Sequence, residues 1–141
     1  MFILDPAMDL PTAIEFASDL VNNFRDALMY DHFSFMGHRW NSDRNSLGNL
    51  IGINVLVVEA GGQLPPGFVY RDYDNNNVPM TATQLGQLGG AAFQFLTAVY
   101  MTSWQHKANI EALTTVDAVS NYDYSTGWPP TELDGTTTIF P

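Results

Sequence analysis

The longest patterned stretch of the chain covers residues 81–113, where apolar residues recur at spacings of three and four. This period predicts one helix, far longer than the average of roughly 12 residues. Thr81 and Gln84 stand at its start with the spacing of a capping box. Apolar residues occupy nearly the whole circumference of the helix, so neighbouring elements or further copies of the chain are expected to cover several sides. These residues are Leu85, Leu88, Ala92, Phe93, Phe95, Leu96, Val99, Tyr100, Trp104 and Ile110.

A second helix is predicted over residues 12–30, with Thr12 and Glu15 as its capping box. Its apolar residues form one wide stripe, which indicates an amphipathic helix that docks on another surface. The stripe consists of Ala13, Phe16, Ala17, Leu20, Phe24, Ala27 and Leu28.

A third helix is predicted from a cap at Ser42 to about Ala60, ended by Gly61 and Gly62. Val55, Val57 and Val58 are β-branched, which leaves a strand as the alternative for its last turn. Gly48 and Gly52 are four residues apart, as are Gly86 and Gly90 in the long helix. We expect these small residues to bring the two helices into close contact.

Alternating apolar residues next to turn-forming residues predict extended structure in two places. Phe68 and Tyr70 precede the turn-rich residues 74–77, and Val78 returns beside Pro79, which indicates an edge hairpin. Phe33 and Phe35 precede Gly37, which predicts a strand or an extended connector with a turn at Gly37. After residue 113, Thr114 or Thr115 is expected to cap one further helical turn.

The sequence therefore predicts an α+β fold that is mainly helical, with two to four helices around one long central helix and a short β-hairpin. We expect three parts along the chain. Residues 1–34 form an apolar arm and an amphipathic docking helix, residues 35–130 form the main domain, and residues 131–141 form a tail.

Composition limits the classes of partner. Only 14% of the 141 residues are charged, against about 25% in typical proteins. A monomer with so few charges would be poorly solvated, which favours surfaces buried against partners. The net charge is −10 and the five basic residues form no cluster along the chain, which argues against nucleic acid and anionic membranes as partners. There is no cysteine, and no run approaches the length of a membrane span.

The residue types that could take part in catalysis or bind a metal do not form a recognisable motif. Asp72, Asp74 and Asn76 have the first spacings of a calcium loop, but Asn77 replaces the glycine and Thr83 the closing glutamate. The three histidines, His32, His38 and His106, lack the spacing of metal ligands and are interpreted as structural. We therefore expect no enzyme activity, no catalytic residue, no metal and no cofactor.

Aromatic and aliphatic residues are the candidates for function, through protein interfaces. Trp104 is the leading candidate, because it lies on the second face of a helix whose first face is already apolar. The arm either folds back onto its own domain or lies on a neighbouring subunit. The predicted interface residues are Phe2, Ile3, Leu4, Phe16, Leu20, Phe24, Trp104 and Trp128.

Four segments occur in a familiar order: "GHRWNSDRNSLGNLIG" at 37–52, "VYRDYDNNNVPMTATQLGQL" at 69–88, "SWQHKANIEALTTVDAV" at 103–119 and "YDYSTGWP" at 122–129. Together they resemble a domain of unknown function carried by tail-fibre and tail-fibre-assembly proteins of tailed bacteriophages. The resemblance covers about residues 35–130 and leaves residues 1–34 outside. Tyr70 stands where tryptophan is common, and "PMTATQL" replaces "LTA..L".

The resemblance implies a phage tail context without known catalysis. The expected function is a structural subunit of the tail fibre, tail tip or baseplate that stays in the virion after synthesis in the host cytoplasm. Its partners would be other tail proteins and further copies of itself, and fibres are commonly trimers. The alternative is a tail-fibre assembly chaperone that is absent from the virion.

Overall fold

A computed structural model describes residues 4–5 and 7–132. In this part the chain forms four helices and two antiparallel two-stranded sheets, so the predicted mainly helical α+β class is confirmed. A long central helix is present, as predicted. The elements are α1 (Leu10–Met29), β1 (His32–Phe35), β2 (His38–Asn41), α2 (Arg44–Glu59), β3 (Val69–Arg71), β4 (Asn77–Pro79), α3 (Ala82–Glu111) and α4 (Val116–Asn121).

The chain divides into two compact units, and each takes two segments of the sequence. Among the described residues, the first unit contains those up to Ala27 together with Ala98–Trp128, and the second contains Leu28–Thr97 together with residues 129–132. The three parts expected along the sequence are divisions of a different kind and stay a prediction.

The core of the first unit lies beneath one face of α1. Ala13, Ala17 and Val21 are fully buried there, and Ile110 and Val119 pack in the same cluster. This face is rotated from the predicted stripe, because Val21 is buried whereas Phe16 and Ala27 are exposed. The small alanine side chains on this face of α1 allow other segments of the same chain to approach closely.

Asp9, rather than Thr12, caps α1. The Asp9 carboxylate accepts a hydrogen bond from the backbone N–H of Thr12 at 2.9 Å, so the predicted cap at Thr12 and Glu15 is wrong. The helix can begin before Pro11 because the first N–H groups of a helix have no intrahelical acceptor and their loss costs nothing.

The core of the second unit is formed by α3 and the first hairpin. Leu85, Leu88 and Phe95 of α3 are buried, and the Phe95 ring stacks on Phe33 of β1 with ring centroids 5.7 Å apart. Trp40 of β2 is buried as well and donates from Nε1 to the carbonyl of Phe35 at 2.9 Å. This core fixes both hairpin strands against the helix.

The first hairpin is more regular than predicted. Phe35 pairs with His38, and the two residues between them, Met36 and Gly37, both have positive φ. Two such residues form the type I′ turn that matches the twist of paired strands. Gly37 correctly predicts the turn. The sequence does not predict β2, because His38 and Arg39 are adjacent polar residues that interrupt the alternation of apolar and polar positions.

Local chemistry ends α2 sharply on both sides. Asp43, not the predicted Ser42, caps the helix by accepting from the Ser46 N–H at 3.2 Å. At the other end, the N–H groups of Gly61 and Gly62 donate to the carbonyls of Val58 and Val57, which is a Schellman motif. The residues before it are helical, so the strand alternative is wrong.

The contact between α2 and α3 is present, but Gly48 and Gly52 do not form it. Instead, the Asn54 side chain of α2 donates to the Leu85 carbonyl at 3.3 Å and lies against Gly86 and Gly89. A Cβ atom at Gly48 or Gly52 would meet nothing within 4 Å. The predicted role of these two glycines inside the chain is therefore wrong.

The second hairpin and the start of α3 follow the predictions. Tyr70 pairs with Val78, and the strands continue directly into the capping box of α3. The Thr81 hydroxyl accepts from the Gln84 N–H at 3.1 Å, and the Gln84 side chain accepts from the Thr81 N–H at 2.9 Å. Thr115 caps α4 in the same way, through the Ala118 N–H at 3.1 Å.

Candidate interaction surfaces

The buried carboxylate of Asp72 organises the turn between β3 and β4. Asp72 accepts hydrogen bonds from the N–H groups of Asp74 at 2.9 Å and Asn76 at 2.8 Å, and its other oxygen lies 2.8 Å from His38 Nδ1. The calcium-like spacing thus reflects a turn in which one aspartate binds the backbone of its own loop.

Burial alone would raise the pKa of Asp72, but the hydrogen bonds from Asn76 and His38 outweigh it and hold the pKa below its ordinary value. The carboxylate therefore stays charged in the folded protein and stabilises the hairpin. This contribution is complete above the ordinary aspartate pKa of about 4. It is lost as the pH falls through the lower pKa of the folded state.

We expect Asp72→Asn to lower the free energy of unfolding by about 2 kcal/mol, because an amide cannot accept all of these hydrogen bonds. The loss of stability between pH 5 and acid should also become shallower, as the titrating group is gone. Urea unfolding at a series of pH values measures both effects. Asp74→Asn is the control, because Asp74 forms an exposed ion pair with Arg39 that contributes at most about 1 kcal/mol. Equal losses of stability in the two variants would contradict the role of Asp72.

A more exposed polar network joins the two hairpins of the second unit. Arg39 donates from two nitrogens to both oxygens of Asp74, and from Nη1 to Glu132 at 3.1 Å. The Tyr73 N–H donates to the Arg39 carbonyl at 2.8 Å, and His32 Nε2 lies 3.1 Å from Glu132. The charged residues here are engaged with one another, which indicates a structural role.

His106 lies in the first unit, where both of its ring nitrogens have protein partners. Nε2 lies 2.7 Å from the Thr126 carbonyl, which can only accept, so Nε2 carries the hydrogen. Nδ1 lies 2.7 Å from the Tyr122 hydroxyl, and the ring stacks on Trp128 with centroids 5.4 Å apart. These contacts support the interpretation of His106 as a structural residue.

Within residues 4–5 and 7–132, no group of three or more histidine, aspartate or glutamate side chains is arranged to hold a metal ion. None of the helices in the described part of the chain combines the length and the apolar character needed to cross a bilayer.

The structure describes only some of the residues that the sequence predicts for the arm. Phe2 and Ile3 fall outside the described residues. Leu4 is buried in the core of the first unit, beside Ala13 and Ile110. Leu4 therefore follows the first of the two alternatives for the arm, in which it packs on its own chain.

Two of the predicted aromatic residues pack on each other. The rings of Phe24 and Trp128 are half-buried with centroids 5.2 Å apart, and Trp128 Nε1 donates to the Tyr124 carbonyl at 2.8 Å. Their common burial in the first unit leaves only part of each ring accessible. Leu20 is half-buried on α1 and Phe16 is exposed.

Trp104 has the most accessible indole of the three tryptophans. Its side chain on α3 is 58% exposed, and Met101, one turn earlier, is equally exposed. Tyr100 supports the indole from the side with ring centroids 5.9 Å apart, and the Arg25 guanidinium lies over the Tyr100 ring at 5.2 Å. The indole therefore packs beside one ring of its own helix and remains largely exposed.

The sequence predictions missed a second apolar surface, on α2 in the second unit. Only Leu50 and Val57 of this helix are buried, whereas Ile51, Val55, Leu56 and Val58 are exposed. The signal that could have identified this surface is the apolar run in the second half of α2, where Asn54 is the one polar residue between Leu50 and Val58, together with charges only at Arg44 and Glu59. One face can meet the core, so another must remain outside.

Comparison with known families gives one result. The sequence model of the family described as "Domain of unknown function (DUF4376)" matches residues 12–126. The match includes nearly all of α1, which the resemblance noted from the sequence had left outside. No curated protein and no solved structure matches the sequence at a significant level.

Proposed function

The chain belongs to the DUF4376 family, and we propose that it is a structural subunit of a bacteriophage tail, in the fibre, the tail tip or the baseplate. The four ordered segments that resemble tail-fibre and tail-fibre-assembly proteins support this context. The subunit is made in the host cytoplasm and remains in the virion. It acts through protein interfaces with other tail proteins and with further copies of itself, without catalysis, metal or cofactor.

The observation that carries the proposal is the exposure of large apolar side chains in a protein with few charges. Trp104 and Met101 are each 58% exposed in the first unit, and α2 exposes four aliphatic side chains in the second. Tryptophan is strongly enriched at the energetic centres of protein interfaces. A permanently assembled subunit would cover such surfaces.

The alternative is a tail-fibre assembly chaperone that leaves before the virion is complete. The segment "YDYSTGWP" at 122–129, which resembles the ends of fibre-assembly proteins, favours it. A chaperone that dissociates needs a well-solvated free surface, however, and only 14% of the residues are charged. The permanent subunit is therefore the better explanation.

Mass spectrometry of purified particles separates the two functions. A structural subunit is expected in the particles at a fixed ratio to the major capsid protein, in a multiple of three or six for a fibre or baseplate. If the protein is absent from particles but bound to a fibre protein in the infected-cell lysate, it is the chaperone.

Trp104→Ala should reduce incorporation into particles by about tenfold or more, because truncating an interface hot spot costs at least about 2 kcal/mol of binding energy. The free energy of unfolding of the purified variant should change by less than about 1 kcal/mol, since the indole is largely exposed. Quantitative mass spectrometry of particles that carry the variant measures the first effect, and urea unfolding the second.

Trp104→Phe is the matched variant, because it keeps an aromatic ring on the same helix position and should retain part of the incorporation. Normal incorporation of Trp104→Ala would show that this surface is not the contact.

A further inference from the structure

The exposed face of α2 has a composition that its own unit does not explain. Ile51 is 65% exposed, Val55 53% and Val58 77%, and Leu56, on the side of α2 that faces β3, is 64% exposed. With 3.6 residues per turn, Ile51, Val55 and Val58 share one side of the helix with Gly48 and Gly52, away from the buried Leu50 and Val57. The face runs along the whole helix, which is about 24 Å long at 1.5 Å per residue.

No close contact within the second unit requires glycine at either of the two glycine positions on this face. Glycine in a helix interior is destabilising relative to alanine. Neither Gly48 nor Gly52 has a positive φ, and a Cβ atom on either would meet nothing within 4 Å. Both also line an open groove of about 510 Å³ beside β3. The absence of side chains here leaves space for a group from outside the unit.

The charges on α2 stand at the two ends of the same face. Arg44 is the first residue of the helix and Glu59 the last, and no charged residue lies between them. The Arg44 guanidinium lies over the Tyr30 ring at 4.3 Å, which leaves its N–H edge open. Within the described part of the chain, neither Arg44 nor Glu59 forms an ion pair within 4 Å.

These features fit the same helix of a second copy in the antiparallel direction. Arg44 of each copy then faces Glu59 of the other, so that both ends of the helix pair are charge-complementary. The same register sets Ile51 opposite Gly52, and Val55 opposite Gly48, because facing residues in an antiparallel pair share one sum of residue numbers. Each aliphatic side chain meets a gap left by a glycine. A parallel pair would instead bring like charges together at both ends.

We propose that α2 is a self-association surface, which pairs antiparallel with α2 of a second copy around a two-fold axis. Such a contact is self-complementary, as a two-fold interface requires. The inference rests on the self-association that the proposed function includes, but it does not depend on the tail context. It concerns the purified chain.

The first test is a charge exchange, measured by sedimentation equilibrium of the purified full chain over a range of concentrations. Arg44→Glu and Glu59→Arg should each weaken dimerisation by about tenfold, because each places like charges at both ends of the pair. The double variant, with both changes, should restore the dimer to near its original dissociation constant. Circular dichroism verifies that each variant is folded.

Glu111→Arg is the control for Glu59→Arg. Both residues are exposed glutamates at the last position of a helix, and both changes reduce the net negative charge equally. Reduced net charge by itself would favour association of this acidic chain. The proposal predicts weaker association for Glu59→Arg and none of that weakening for Glu111→Arg.

The second test is Gly52→Leu, which should affect folding and association in opposite directions. The leucine has open space in the monomer and better helix propensity, so the melting temperature of the monomer should rise. It also fills the gap for Ile51 of the second copy, so dimerisation should weaken by about tenfold or more. Asn23→Leu, on an exposed position of α1, is the control and should leave dimerisation unchanged.

The proposal is overturned if the unmodified chain stays monomeric at every concentration. It is equally overturned if the chain associates but Gly52→Leu and the single charge variants associate as before, or if the double charge variant does not restore the dimer. Absence of the protein from phage particles would refute the tail subunit and leave these results unaffected.

Discussion

Phe95→Ala is expected to lower the free energy of unfolding by about 3–5 kcal/mol, the range for truncating a buried phenylalanine. The Phe95 side chain is fully buried in the second unit and stacks on Phe33, with ring centroids 5.7 Å apart. Its removal leaves a cavity between α3 and the first hairpin that rigid neighbours cannot fill. Urea unfolding followed by circular dichroism measures the loss.

Phe93→Ala is the matched control, because Phe93 is the same residue type on the same helix and is 70% exposed. It should change the free energy of unfolding by less than about 1 kcal/mol. Similar losses in the two variants would show that the buried and exposed sides of α3 are assigned wrongly.

His106→Ala is expected to cost about 3 kcal/mol in the first unit. The truncation leaves the Thr126 carbonyl and the Tyr122 hydroxyl without the imidazole, and it removes the ring that stacks on Trp128. His106→Gln should lose less, since an amide can still donate to the Thr126 carbonyl. Thermal and urea unfolding compare the three proteins.

Gln105→Ala serves as the control for His106. Gln105 is exposed at the preceding position of α3, and among the described residues its side chain bonds only to Asn109, at 2.8 Å. Its truncation should therefore cost less than about 0.5 kcal/mol. A loss for His106→Ala no larger than this would mean that the histidine contributes little to the fold.

The residues predicted for interfaces and the apolar residues that are exposed in the structure overlap only partly. Trp104 was predicted and is exposed, whereas Leu4 was predicted and is buried in its own unit. The face of α2 was not predicted. The apolar pattern of α2 identifies a helix, but it does not tell which side of that helix packs against the core.

The sequence alone determined the features that depend on atoms a few residues apart. The capping box of Thr81 and Gln84, the Gly61–Gly62 helix end and the turn between β3 and β4 all involve hydrogen bonds within one short segment. The periodicity of residues 81–113 predicted α3 for the same reason, because side chains three and four apart share a face. The predicted caps of α1 and α2 are wrong because a nearby aspartate, Asp9 or Asp43, accepts the capping hydrogen bond instead.

Which apolar surfaces are buried follows from contacts between residues that are far apart in the sequence. Apolar residues stand on more than one side of α2, so its sequence does not tell which side meets the core; in the structure Leu50 and Val57 are buried and Asn54 donates to the Leu85 carbonyl of α3. Trp104 and Trp128 are chemically identical, and their accessibility differs because the rings of Phe24 and His106 cover Trp128. Burial depends on contacts between residues distant in the sequence, and local patterns do not record those contacts.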